Sequence, residues 1–585
     1  MRKVLKKGLL CAVYALISTA VLAAQSGAGN TDQDIAAYTE AIRLDPNDAE
    51  AYKNRGNAYD DKEEYDRAIA DFTEAIRLSP NDAEAYKNRG RSYLGKEEYD
   101  KAIADNDQAI NINPNYWQAF ANRGSAYGNK GEHDKAIADF TQAISIKADG
   151  ASLYVNRGMA YSDKGEHDRA IADFTEAIRL DPNDAYISFF RGSAYGNKGE
   201  TDKAITDFTE ALRLDPNLVW AYRYRGNAYG TKGEFDKAIT DYTEALRLDP
   251  DDAAAYFFRG VAYGSKGEFD KAIADFTEAV RLDPHDAQGY YNRGYTYNAT
   301  GEFDKAIADY SQAIRLDPDD AAAYFFRGVA YGSKGEFDKA IADFTEAIRL
   351  VPHDAQGYHN RGYAYNATGE FDKAVADYTE ALRLDPNDAQ VYNNRGNAYG
   401  VKREFDKAIA DFTEAVRLDP NNAQSYQGRG YAYNATGEFD RAIADYTEAL
   451  RLNPNDAQVY TNRGNIYDDK GESDKAIADY TEALRLDPNL VLAYYNRGLA
   501  YGRKREADKA IADYTKALRL DPNLAYVYNN RGNAYAMKED YVRARADWER
   551  ALQLDPNDAE ARNNLERLRR EGQQKEGAYS LHTFL

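Results

Sequence analysis

An arginine-glycine dipeptide stands at residues 55, 89 and 123 and then at every thirty-fourth residue to 531, fifteen times without an insertion. An aspartate follows each arginine sixteen residues later, from Asp71 to Asp547. A guanidinium and a carboxylate can exchange two parallel hydrogen bonds, so the spacing offers a repeated ion pair: Arg55 with Asp71, Arg225 with Asp241, Arg395 with Asp411 and so on. Paired carboxylates could instead work as acid and base, but a pattern present in every copy marks structural or surface residues rather than a unique dyad. Other reactive residue types are sparse. The six histidines are scattered, with His133 and His167 at equivalent places in neighbouring copies, His285 and His353 in turns, His359 on a helix and His582 near the end. They have no metal-ligand spacing, and no phosphate loop or nucleophile elbow appears. No catalytic residue, metal or cofactor is expected.

A fixed period of 34 residues means stacked two-helix units around one continuous core rather than separate globular domains. Positions are numbered from Ala49, which puts the Arg-Gly pair at positions 7 and 8 of fifteen units spanning 49–558. The first helix of a unit follows an N-capping aspartate such as Asp48 and carries Tyr52, Gly56 and Tyr59 on one face. The second carries Ala68, Phe72, Ala75 and Ile76 at the spacing of a buried stripe. A Lys-Gly-Glu turn joins them in most units, as at Lys130-Gly131-Glu132, and Gly suits the left-handed conformation there. All fifteen prolines, from Pro46 to Pro556, fall at position 32, where they stop the second helix, and only Ala148 breaks the series. Positions 4, 7, 8 and 11 share a helix face, which turns each arginine toward the second helix. The chain ends act as controls. The lone second helix at 33–45 has Ala37 at the aspartate position, and the lone first helix at 559–571 has Leu565 at the arginine position.

This pattern resembles the tetratricopeptide repeat, also 34 residues long, with an aromatic at position 4, Gly at 8, Tyr at 11, Ala at 20, an aromatic at 24, Ala at 27 and Pro at 32. The likeness covers nearly all of residues 31 to 572. It implies an all-α fold, a right-handed α-solenoid superhelix of antiparallel helix pairs, whose first helices line a concave groove that commonly holds a peptide segment. Arginine at position 7 departs from the family's apolar residue. Asn106, Ser188 and Ala148 are local departures at positions 24, 4 and 32. The family's carboxylate clamp is incomplete: Lys53, Asn57 and Asn88 match, but Gln118 and Asn122 stand where its remaining basic residues belong.

Positions that vary between units, namely 2, 5, 6, 9, 12 and 13, lie opposite the buried stripe and are the expected place for function. Position 6 is asparagine in ten units: Asn54, Asn88, Asn122, Asn156, Asn292, Asn360, Asn394, Asn462, Asn496 and Asn530. An amide presents the donor and acceptor that a peptide backbone needs, so the row could hold an extended chain, as asparagine ladders do in some family members. Equally, it could keep a wet surface polar. The row is interrupted by aromatics, Phe190, Tyr224, Phe258 and Phe326, with Tyr295 and Tyr363 at position 9. These could form an anchoring patch for a partner or pack against the next unit.

The formal charge is −22, and removal of Arg2, Lys3, Lys6 and Lys7 would make it −22 − 4 = −26, which argues against nucleic acid as a partner. Those four basic residues precede an apolar run from Gly8 to Ala24 with small residues after it, the pattern of a secretory signal peptide cleaved near Ala23 or Ala24. Contact with a membrane is expected only through an uncleaved signal. Cys11 lies within this segment, so the mature chain has no thiol. The expected organisation is a signal peptide at 1–24, a linker at 25–32, a half repeat at 33–48, fifteen repeats at 49–558, a capping helix at 559–572 and a tail at 573–585. The expected location is periplasmic or secreted. The expected function is a non-enzymatic scaffold that holds an extended protein or peptide segment. A carbohydrate-binding scaffold of a cell-envelope polysaccharide system is the alternative.

Overall fold

The computed structural model describes residues 31–570, which are all-helical, with no strand among the described residues. Helices pair consecutively in a solenoid. Each first helix packs most heavily on the second helix of its own repeat, then on the preceding second helix, and sparsely on the next first helix. Two compact bodies divide at Thr296 and Tyr297, within the helix Ala287–Ala299. The N-terminal body begins with the helix Thr31–Leu44, and the C-terminal body ends in a helix over 559–570.

Local chemistry sets the helix ends. Asp48 accepts from the Ala51 amide at the start of Ala49–Asp61, and Asp388 accepts from Gln390 and Val391 at the start of Ala389–Val401. The turn inside each repeat requires a left-handed residue at position 15. Glycine supplies it at Gly131 (φ 77°) and Gly369 (φ 81°), while Glu63, Arg403 and Arg505 take φ of 60°, 62° and 59°.

In both bodies the core of each hairpin is a ring set between small residues. Ala68, Phe72 and Ala75 are essentially inaccessible, as are Ala374, Tyr378 and Ala381. Position 8 must be glycine because a Cβ on Gly56 would lie 2.8 Å from the Phe72 ring, and one on Gly498 would lie 2.6 Å from that of Tyr514. Asn106 occupies the ring position in the second repeat, fully buried, with its amide donating 2.8 Å to the Ala102 carbonyl.

Neighbouring repeats are also joined by charge. Lys130 reaches Asp100 of the preceding repeat at 2.6 Å, and Lys232 reaches Asp202 at 2.6 Å in the same way. Thr300, Thr368 and Thr436 replace this lysine in three repeats and bond locally to Glu302 (3.3 Å), Glu370 (3.3 Å) and Glu438 (3.2 Å). The outer surface of the second helices carries Glu-Arg pairs three residues apart, such as Glu244 with Arg247 at 2.7 Å, which accounts for much of the acidity.

Candidate functional site

The arginine row settles which face of each first helix is free. Arg225 Nε and Nη2 donate to the two carboxylate oxygens of Asp241 at 2.8 Å each, with side-chain exposures of 17% and 6%. Arg55 with Asp71 and Arg395 with Asp411 have the same bidentate geometry at 2.7 Å. The third donor turns to the preceding repeat: Arg225 Nη1 donates to Thr209 Oγ1 at 3.1 Å and Arg395 Nη1 to Thr379 Oγ1 at 3.0 Å. Most of these guanidinium groups also lie near a tyrosine ring of their own helix, Arg55 being 5.7 Å from Tyr52 and 6.0 Å from Tyr59. One side chain therefore ties its own hairpin together and ties that hairpin to the previous one. The threonine half of this contact went unnoticed in the sequence, although the signal was there: position 25 is Thr, Ser or Asp wherever an arginine reaches it.

Positions 5 and 6, by contrast, are drawn into the junction between repeats. A Cβ on Gly428, at position 6, would lie 2.5 Å from the Phe412 ring of the preceding repeat. None of the ten position-6 asparagines is exposed, and Asn88 and Asn122 are buried. Several amides are engaged with neighbours. Asn88 donates to Asn57 and Asn496 to Asn465, each at 2.8 Å. Asn292 and Asn360 bond back to the Gln288 and Gln356 carbonyls at 2.8 and 2.9 Å. Asn394 meets His359 Nε2 at 3.0 Å, Asn462 accepts from Gln458 at 2.9 Å, and Asn530 donates to the Tyr526 carbonyl at 2.9 Å. Asn54 and Asn156 are half-buried.

The position-6 rings share this junction. Phe190 stacks on Phe174 (5.9 Å between centroids), Phe258 on Tyr242 (6.2 Å) and Phe326 on Tyr310 (6.4 Å), while Tyr224 is tilted against Phe208 at 6.0 Å. All four are half-buried. Tyr295 and Tyr363 at position 9 are different, being 49% and 56% exposed.

Six exposed apolar residues of the C-terminal body lie on first helices, while Val351, Phe439, Leu520, Tyr541 and Val542 are exposed on or next to second helices. In the C-terminal body, Tyr363, Val401, Tyr431, Leu492, Tyr526 and Met537 are all large, all at least 41% exposed, and all at positions 2, 9 or 13 of first helices. The first repeats of the N-terminal body are polar instead. Lys53 contacts Glu84 at 2.9 Å and Asp82 at 3.3 Å, and Arg91 contacts Asp60 at 2.6 Å. Lys87 lies among them, and burial together with the nearby Arg91 charge pushes its ammonium down to about 8. Among the described residues no group of acidic, histidine or cysteine side chains is placed to hold a metal.

Tetratricopeptide repeat models match residues 49–82, 83–116, 151–184, 321–354, 389–422, 491–524 and 525–558. A related TPR repeat model matches 28–62, 192–233, 294–335, 362–401, 430–471 and 464–504. Further tetratricopeptide models match 118–149, 225–287, 276–308 and 412–444. Together these matches run over most of the chain, which belongs to the tetratricopeptide repeat family. It is a protein-interaction scaffold of a fold that is typically non-catalytic. Similar solved structures include the APC/C hetero-tetramer Cut9-Hcn1, 18% identical with a TM-score of 0.33 over 83% of this chain and 96% of that one. MamA is 34% identical, with a TM-score of 0.27 over 28% of this chain and 94% of its own. YrrB, a TPR protein with an unusual peptide-binding site, is 25% identical, with a TM-score of 0.29 over 32% and 95%. Comparison with curated proteins gives no match.

Proposed function

We propose that the free face of the first helices holds an extended, weakly charged peptide segment of a partner protein. The observation that carries this reading is the exposed row from Tyr363 to Met537 in the C-terminal body, set on a solenoid whose outer helices are densely charged. Exposed apolar side chains gathered on one face of a protein mark a contact surface. The half-buried asparagines would guide the backbone from the edges of that row, and Tyr431 and Leu492, 55% and 60% exposed, would supply anchoring area. The signal-like segment at 1–24, outside the described residues, points to action after export, in the periplasm or outside the cell. The mature chain would then begin near Gln25.

A peptide array probed with the purified mature chain tests the proposal. Tyr431→Ser combined with Leu492→Ser is expected to abolish the array signal without lowering hydrogen-exchange protection in the helices Ala423–Ala435 and Val491–Arg503, because both side chains are largely exposed. An unchanged array pattern, or a scaffold that binds glycans and no peptide, would overturn it. Glycan binding lost on Phe258→Ala and Phe326→Ala would instead support the polysaccharide alternative.

A further inference from the structure

Position 24 carries a tyrosine or tryptophan in several repeats, and its polar atom needs a partner beneath the first-helix face. Tyr242 donates to Asn227 at 2.7 Å, Tyr480 to Asn465 at 2.8 Å and Trp548 Nε1 to Asn533 at 3.0 Å. In each case the acceptor is the asparagine at position 9 of the same repeat. The tenth repeat, Ala355 to Asp388, has Tyr363 there instead. Tyr378 is fully buried in this repeat, and its hydroxyl has no hydrogen-bond partner among the described residues. Burial pushes the phenol up, so it remains a donor at neutral pH.

A second orphan lies beside it. The oxygen of Asn366, at position 12, is buried and also without a partner. Gly230 and Gly502 hold this position in two other repeats, and a Cβ on either would lie 3.9 Å from the position-24 hydroxyl, which puts Asn366 next to that of Tyr378. His359, Tyr363 and Asn366 are spaced i, i+4 and i+7 and so share one face of the helix Ala355–Ala367. The His359 ring is 6.1 Å from that of Tyr378 and bonded to Asn394 at 3.0 Å, which closes one side. Tyr363, 56% exposed, lies on the same face and close to the Tyr378 hydroxyl.

We propose that the tenth repeat is a recognition subsite for a primary carboxamide, the side chain of Asn or Gln in the bound peptide, with Tyr378 OH donating to its oxygen and Asn366 Oδ1 accepting from its nitrogen. The inference rests on the peptide-holding reading above. A primary amide presents its C=O and one N–H on the same edge, whereas a trans backbone amide points them in opposite directions. A carboxylate has no donor for Asn366, and an ammonium has no acceptor for Tyr378. The Tyr378 hydroxyl and Asn366 Oδ1 are both buried in the free protein, so the exposed Tyr363 ring swings aside on binding and then covers the aliphatic stem.

The test is fluorescence anisotropy on the full mature chain with labelled, end-capped octapeptides identical except for Gln, Glu, Leu or Ser at one position. The Gln peptide should bind about tenfold more tightly than the others. Tyr378→Phe, which installs the residue found at this position in seven repeats, should erase that advantage while leaving Leu-peptide affinity unchanged. Tyr363→Asn should erase it as well and raise hydrogen-exchange protection in the helices Ala355–Ala367 and Phe371–Leu384, since the phenol regains the acceptor it has elsewhere. Equal binding of all four peptides, a preference for Ser, or a Gln advantage that survives Tyr378→Phe overturns the subsite and leaves the general peptide reading standing. Failure of every peptide to bind overturns both.

Discussion

Arg225→Ala removes one clamp from the middle of the N-terminal body. Two hydrogen bonds of 2.8 Å to Asp241 disappear, together with the 3.1 Å bond to Thr209. The Asp241 carboxylate, 6% exposed, is left without its counter-charge. Breaking a buried pair on one side costs about 3–5 kcal/mol. Because the arginine itself is 17% exposed, water can reach part of the vacated space and the lower end applies, about 3 kcal/mol. A long repeat array does not unfold in one step, so a global melt would blur this loss. Hydrogen exchange resolves it locally. Protection in Val219–Thr231 and Phe235–Leu248 should fall by roughly a hundredfold, with distant repeats unaffected. Replacing the pair together by Arg225→Met and Asp241→Leu should restore most of the protection, because no unpaired charge remains. Unchanged exchange in the single variant would refute the clamp, and with it the argument for which face is free.

Other consequences are equally direct. Gly498→Ala would place a Cβ 2.6 Å from the Tyr514 ring and should cost about 1–3 kcal/mol, whereas Gly332→Ala meets nothing within 4 Å and should stabilise its helix by about 0.5–1 kcal/mol; local exchange reads both. Lys87 is lowered from 10.5 to about 8, so the folded state bears a charging penalty of up to about 3 kcal/mol at pH 7. Lys87→Met should therefore stabilise the second repeat at pH 7, and the advantage should shrink between pH 8 and 10.5, where the folded lysine is neutral and the unfolded one still binds its proton. Glu268 and Glu336 are held down to about 2 by hydrogen bonds from Lys266 and Lys271 and from Lys334 and Lys339. Their contribution is full above the ordinary value of 4.5 and is lost as pH falls toward 2, so denaturation midpoints should drop over that range, less so in Glu268→Gln with Glu336→Gln.

The fold was legible because the repeat imposes the same steric demand many times. Gly56 against Phe72, Asp48 at the helix start and glycine in the turn each follow from local chemistry, and the helix faces fix where the arginines point. The free face was harder to read. A helix periodicity places position 6 opposite the buried stripe, yet the next repeat leans over it. The asparagines and the rings of Phe190, Phe258 and Phe326 consequently lie in a junction, which depends on how hairpins stack and not on one helix alone. The orphaned Tyr378 hydroxyl was invisible for a similar reason. Only the distance between positions 9 and 24, known once the two helices are packed, shows that Tyr363 withholds an acceptor that Asn227 provides.

Site-specific photo-crosslinking from the first-helix face tests the central claim most directly. With a photoreactive residue in place of Tyr431 or, separately, of Glu448 on the outer helix Phe439–Leu452, a peptide selected on the array should be captured from position 431 and not from 448. Equal capture from both, or capture from 448 alone, would contradict the assignment of the first-helix face as the surface that holds a partner.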